Sequence, residues 1–180
     1  DGNVYVFGGT LGDNTDYNTT FVYQPTTNSW SLGTPMPVVR EGARAVTLPD
    51  GRIAVLGGAT QCAYNELCSA GTVYNRVDVY APSTNSWSAL APMQSPRYRF
   101  AAVLYHGKIY AIGGSDGTTA VASVEAFDPV SDTWTTVASL PQITEAPAAV
   151  VDGNDHIDVF GGFDGGSYPY GPYGYNSFLV

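Results

Sequence analysis

Positive charge is scarce in this sequence. Position 108 holds the single lysine, and the seven basic residues face sixteen acidic ones, for a formal net charge of -9. A chain so poor in cations does not carry the extended basic surface that grips a phosphate backbone, so no nucleic-acid partner is expected. No apolar run approaches the roughly 18 residues of a membrane-spanning helix, so no membrane span is expected. Histidine occurs only as His106 and His156, and cysteine only as Cys62 and Cys68, within CAYNELC. Two thiols without a neighbouring histidine fall short of a zinc site, whereas in an oxidising compartment the same spacing closes a small loop as a disulfide. The shortage of lysine beside abundant Thr, Ser, Asn, Tyr and Gly suits an exported, extracellular protein. Asn18-Thr19-Thr20 is a glycosylation sequon of a kind common by chance.

Glycine and aromatic residues are plentiful and regularly spaced. Glycine pairs begin at Gly8, Gly57, Gly113 and Gly161, at intervals of 49, 56 and 48. Trp30, Trp87 and Trp134 lie between them, each seven residues after an aromatic, Tyr23, Tyr80 or Phe127. From Trp to the next glycine pair takes 27, 26 and 27 residues, but from glycine pair to Trp takes 22, 30 and 21. One half of the period is fixed in length, and the other absorbs insertions.

The runs NVYVFGG, RIAVLGG, KIYAIGG and HIDVFGG are short, apolar and closed by glycine, which marks buried strands. Asp50-Gly51 and His106-Gly107 precede two of them as hairpin turns whose residues tolerate positive φ. The partner strands are ARAVTL, AAVLY and PAAVV, and a third set, TFVY, RVDVY and SVEAF, follows the glycines. A Pro-containing turn then leads into a fourth strand around each Trp. The chain is therefore expected to be all-β, in four-stranded antiparallel units too small to bury both faces alone. Units of this kind stack, and radial stacking gives a β-propeller.

The glycine pair (Gly8 and Gly9, Gly57 and Gly58, Gly113 and Gly114, Gly161 and Gly162), the aromatic and the Trp seven later resemble the kelch repeat, whose period is about 50 residues. The resemblance implies a kelch-type β-propeller with the aromatic and Trp filling the wedge between blades. Blade 1, lacking its first strand, takes residues 1–34, blade 2 residues 35–91, blade 3 residues 92–140, and an incomplete blade 4 residues 141–180. Val180 aligns one place before the expected aromatic of a third strand. Because kelch-like rings usually close with six or seven blades, the remaining blades are expected from the same longer chain or from another subunit.

Antiparallel connectivity sends the loops after strands two and four to one end of the sheet and the short turns to the other. The long-loop end holds every insertion, and a protein or glycan ligand is expected there. Tyr168, Tyr170, Tyr173 and Tyr175 alternate with Gly and Pro, and such rings suit protein or carbohydrate contact or serve as loop packing. Arg40, Arg44, Arg97 and Arg99 fall in segments after the fourth strands. The resemblance implies that arginines here contact acidic ligands, while the alternative is pairing with Glu41 or Glu145. Asp13, Asn14 and Asp16 match no full calcium loop and read better as turn formers, so no metal is assigned. No cofactor is expected either. A non-enzymatic binding scaffold is the leading expectation. A galactose-oxidase-like or carbohydrate-active enzyme and a structural subunit of an extracellular assembly are the alternatives. The residues present show no catalytic constellation.

Overall fold

The computed structural model describes residues 1–11, 15–61 and 71–164, together with the strand at 178–179. Blade 1 contains β1 (Val4–Thr10), β2 (Asp16–Gln24) and β3 (Ser29–Gly33). Blade 2 contains β4 (Arg44–Thr47), β5 (Ile53–Leu56), β6 (Val77–Ala81) and β7 (Ser86–Leu90). Blade 3 contains β8 (Ala101–Tyr105), β9 (Lys108–Ile112), β10 (Val124–Asp128) and β11 (Thr133–Val137). Blade 4 contains β12 (Ala148–Val151), β13 (Ile157–Phe160) and β14 (Phe178–Leu179). Within each sheet the strands pair antiparallel in sequence order. The first strand β8 lies against both β4 and β12, so the first strands converge on an inner axis. No helix among the described residues is long and apolar enough to cross a membrane.

The turns follow their residue chemistry with one difference. His106 and Gly107 both take positive φ, +48° and +75°, as a two-residue hairpin requires. At Asp50-Gly51 only Gly51 does, at +84°, because Leu48 N–H bonds to Arg52 C=O and closes a three-residue turn instead. Before each tryptophan strand, Asn28, Asn85 and Asp132 take left-handed φ of 49°, 49° and 53°, a region that short polar side chains tolerate.

Hydrophobic burial is concentrated in the seams between blades. Leu56, Ala54 and Val79 of blade 2 pack with Phe100, Ile109, Phe127 and Trp134 of blade 3. Ala101, Val103 and Ile112 of blade 3 pack with Val159 of blade 4, with Ala149 and Ile157 against them. Between blades 1 and 2, Phe7 meets Tyr80 and Trp87 at ring-centroid distances of 5.8 and 5.4 Å. Each fully buried side chain of this size contributes about 1.5–3 kcal/mol, so the seams hold most of the hydrophobic stabilisation.

The glycine pairs sit where one blade touches the entry segment of the next. The second glycine donates its N–H to the following blade: Gly9 to Arg40 C=O at 3.1 Å, Gly58 to Arg97 C=O at 2.9 Å, Gly114 to Thr144 C=O at 2.8 Å. That approach leaves no room beside the first glycine. A Cβ on Gly8 would stand 2.6 Å from Arg40 O, and one on Gly113 would stand 2.8 Å from Thr144 O.

The tryptophan expectation holds at two of three positions. Trp134 is 6% exposed and donates Nε1–H to Ala91 C=O at 2.9 Å, and Trp87 donates to Thr34 C=O at 2.8 Å. Trp30 is 58% exposed on the outer face of blade 1, so it fills no wedge among the described residues. Phe178 pairs with Val159 as Asp78 pairs with Val55, and Val180, expected one place before the aromatic, lies outside the described residues.

Candidate functional site

The segments that follow β3, β7 and β11 run across the long-loop end toward the axis; the first carries Arg40 and leads into Arg44 at the start of β4, and the second carries Arg97 and Arg99. Two of these arginines do not face outward. Arg40 and Arg97 have no exposed side-chain surface. Arg40 Nη2 pairs with Asp78, and its Nη1 donates to Gly57 C=O at 3.1 Å. Arg97 Nη2 pairs with Glu125 Oε1 at 2.6 Å, and its Nη1 donates to Gly113 C=O at 3.0 Å. The expectation that Arg40 and Arg97 present guanidinium groups to a ligand is therefore corrected. A carboxylate on an otherwise buried third strand must be paired, and these arginines reach in to pair it.

The acids Asp78 and Glu125 were missed in the sequence, although the signal was there. RVDVY and SVEAF each place a charge among strand residues that are buried throughout. The two pairs are completed differently. Glu125 also accepts N–H groups from Gln94 at 2.7 Å and Ser95 at 3.1 Å. In blade 2 the residue corresponding to Gln94 is Pro37, which has no N–H, and Arg76 takes up Asp78 instead at 2.7 and 2.6 Å. Hydrogen bonding to Asp78 pushes the Arg76 guanidinium above its usual value, while burial pulls Arg40 below it against the opposing pull of Asp78. Blade 4 changes both partners together. Thr144 stands in place of the arginine, with its hydroxyl donating to Gly161 C=O at 3.3 Å, and Phe178 holds the register position of the acid.

Arg99 and Arg44 remain near the surface. Arg99 lies 5.1 Å from the centre of the Tyr98 ring and pairs through Nη1 with Glu145 Oε1 at 3.0 Å, with its side chain 26% exposed. It sits at φ +49°, in line with Gly42 at +60° and Ala146 at +54°. Backbone bonds from Arg99 N–H to Gly42 C=O at 2.9 Å and from Ala146 N–H to Arg99 C=O at 2.6 Å link these residues from blade to blade. A non-glycine residue held left-handed costs about 1–3 kcal/mol, so the seams fix Arg99 in place. Burial pushes the buried Tyr98 hydroxyl up, and Glu145 adds to the shift.

Arg44 opens β4 on the face that carries Val46. Its hydrogen bond among the described residues is to Ala43 C=O at 3.0 Å, it forms no ion pair with a described carboxylate, and burial pulls its guanidinium below the usual value. Exposed Val39 and Ile143 occupy corresponding places in the entry segments of blades 2 and 4.

The other candidates fall elsewhere. Tyr168, Tyr170, Tyr173, Tyr175, Cys62, Cys68, Asp13 and Asn14 lie outside the described residues. Asp16 accepts Gln61 N–H at 2.7 Å, and Asp116 accepts Thr118 and Thr119 N–H, both at 2.8 Å, as a turn former does. His106 meets Asp155 at 2.7 Å and His156 meets Asp152 at 3.6 Å, at the short-turn end. Asn18 of the sequon donates its side-chain amide to Met36 C=O at 3.0 Å, and Thr20 is fully buried.

Antiparallel sheets whose cores are their mutual seams, converging by their first strands, define a β-propeller with its variable loops at one end. The family model described as the KLHDC2/KLHL20/DRC7 Kelch-repeats domain matches residues 1–172, and the chain belongs to the kelch-repeat family. Spermatocyte protein spe-26 of Caenorhabditis elegans is 29% identical over 92% of this chain and 28% of its own length. F-box protein AFR of Arabidopsis thaliana is 34% identical over 75% of this chain and 33% of its own length. Kelch-like protein 25 of Xenopus tropicalis is 31% identical over 88% and 27% respectively. The chain thus spans about a quarter to a third of these relatives. The solved structure of YjhT superposes with a TM-score of 0.69 at 16% identity, covering 100% of this chain and 78% of that one, which shows the shared fold.

Proposed function

We propose that this chain is a protein-binding scaffold that receives an acidic segment of its partner at the long-loop end of the axis, with Arg44 and Arg99 as the reading side chains. The observation that carries the proposal is the half-buried Arg44, whose hydrogen bond among the described residues is to one neighbouring carbonyl. Guanidinium offers five N–H donors, and partial burial raises the value of any carboxylate that reaches it. Arg99 adds a second cation held by backbone bonds, and the exposed Val39 and Ile143 of the entry segments add apolar surface at the same end. Kelch-repeat membership supports the scaffold reading. A glycan ligand on the tyrosine-rich segment and an extracellular setting belong to this proposal as its finer form.

The test is an array of short acidic, neutral and basic peptides with oligosaccharide spots alongside. Acidic peptides are expected to be retained, to lose about tenfold or more in affinity with Arg44→Ala, and to weaken further in high salt. Arg52→Ala, at the short-turn end beside Asp50, is expected to leave binding unchanged. Equal retention of acidic and neutral peptides would overturn the reading, and retention on the sugar spots alone would move it to glycans.

A further inference from the structure

Arg99 already holds a carboxylate, and the residue that supplies it is fixed in place. Arg99 Nη1 meets Glu145 Oε1 at 3.0 Å, and Glu145 is nearly buried, with 8% of its side chain exposed. The backbone of Glu145 exchanges two hydrogen bonds with Phe163, at 2.7 and 2.9 Å, and its neighbour Ala146 donates N–H to Arg99 C=O at 2.6 Å. Acid and guanidinium are thus locked to one another from both sides of the seam.

Arg44 is in the opposite state. It forms no ion pair with a described carboxylate, and it lies two residues after Gly42, where an added Cβ would stand 3.3 Å from Arg99 Cγ. One patch therefore presents an open cation beside a neutralised one. A second buried acid adds to the imbalance, since Glu41 holds in blade 2 the station that Glu145 holds in blade 4, each bridged to the residue after its glycine pair, Ala59 or Phe163. Burial, then Glu145 and to a lesser degree Glu41 push the hydroxyl of Tyr98 up, so both carboxylates bear on this patch.

A carboxylate arriving at Arg99 would share one guanidinium with Glu145, and like charges so placed repel. A neutral acceptor meets no such opposition, because guanidinium has five N–H donors and Glu145 is bound through Nη1. We propose that the patch reads one carboxylate and one neutral acceptor, and that Glu145, acting through Arg99, is the residue that excludes a second acid. This rests on the scaffold reading above and narrows it. The partner segment brings a single acidic side chain to Arg44 and an amide carbonyl to the remaining N–H donors of Arg99.

The test uses end-blocked peptides of a serine, glycine and glutamine background, each with one glutamate, and a matching set in which a second glutamate is placed at each neighbouring position in turn. On the wild-type protein the second glutamate is expected to raise affinity by less than about twofold at every position. In Glu145→Gln it is expected to raise affinity about tenfold or more at the position that meets Arg99, and the gain to vanish when Arg99→Gln is added. Single-glutamate peptides are expected to bind Glu145→Gln within about threefold of wild type, and a larger loss would make Glu145 a support for Arg99 and overturn the proposal. A gain of about tenfold on the wild-type protein, a measurement that needs no variant to fold, would overturn it as well, and so would a Glu145→Gln protein that gains no more than wild type. These results leave the scaffold reading standing wherever Arg44→Ala still releases the single-glutamate peptides. Wild-type protein that retains no acidic peptide would overturn both.

Discussion

Removing the carboxylate of Glu125 tests whether buried ion pairs, and not only hydrophobic seams, hold the blades. Glu125→Ala strips Arg97 of its charge partner in a place with no exposed surface, and takes an acceptor from the N–H groups of Gln94 and Ser95. Breaking a buried pair from one side costs about 3–5 kcal/mol, which for a chain of this size lowers Tm by about 8–16 °C. Glu125→Gln keeps the shape and one acceptor oxygen, so about 2 kcal/mol is expected. Arg97→Met with Glu125→Met removes both charges and takes a partner only from neutral groups, the Gly113 carbonyl, the Ser123 hydroxyl and two backbone N–H groups, while the Ser123 carbonyl keeps Gly113 N–H. That double variant is expected to cost about 1–2 kcal/mol, less than the single truncation. Blade 4 already carries such a paired replacement, with Thr144 and Phe178 in the two positions. Urea unfolding followed by tryptophan fluorescence and far-ultraviolet dichroism reads all three variants. A Glu125→Ala cost below about 1 kcal/mol, or a double variant worse than the single, would refute the reasoning.

Two further outcomes are expected. Gly57→Ala drives a Cβ into the Arg97 carbonyl and to 2.9 Å from the Phe100 ring, at φ +55°, whereas Gly9→Ala meets nothing within 4 Å. The first is expected to cost about 3 kcal/mol or more and the second only the backbone strain of about 1 kcal/mol, so equal Tm losses would contradict the close-approach account. Asp50, Asp128 and Asp152 are each held below the usual aspartate range, chiefly by the backbone N–H of Arg52, Val130 and His156 respectively. A depressed folded value gives stability that is present above the unfolded pKa of about 3.9 and is lost as pH falls through the folded value. Thermal melts between about pH 5 and 2 are expected to show that loss, and the Asp152→Asn variant to show a shallower decline. A slope unchanged by that substitution would remove Asp152 from the account.

The repeat was readable because its devices are local. A hairpin needs His106-Gly107 in sequence, and the strand pattern of KIYAIGG needs no partner to be seen. The glycine pairs were legible as strand ends and repeat landmarks, but not what they approach, since the Arg97 and Thr144 carbonyls come from the next blade. The arginines were misread for the same reason. Arg40 and Arg97 look like surface residues in a loop, and their partners Asp78 and Glu125 lie 38 and 28 positions away. Glu145, one of the two acids offered as alternative partners for the arginines, pairs with Arg99 across 46 positions.

By itself, then, the sequence determined the units: four-stranded sheets, their glycine and tryptophan landmarks, and which loops share an end. Those follow from φ preferences, side-chain alternation and antiparallel connectivity, all of which act within a few residues. Only the tertiary structure decided which charges are internal, which tryptophans are covered and which cations stay near the surface. Each of those depends on the blade that packs alongside, and burial fixes whether a guanidinium is a staple or a reader.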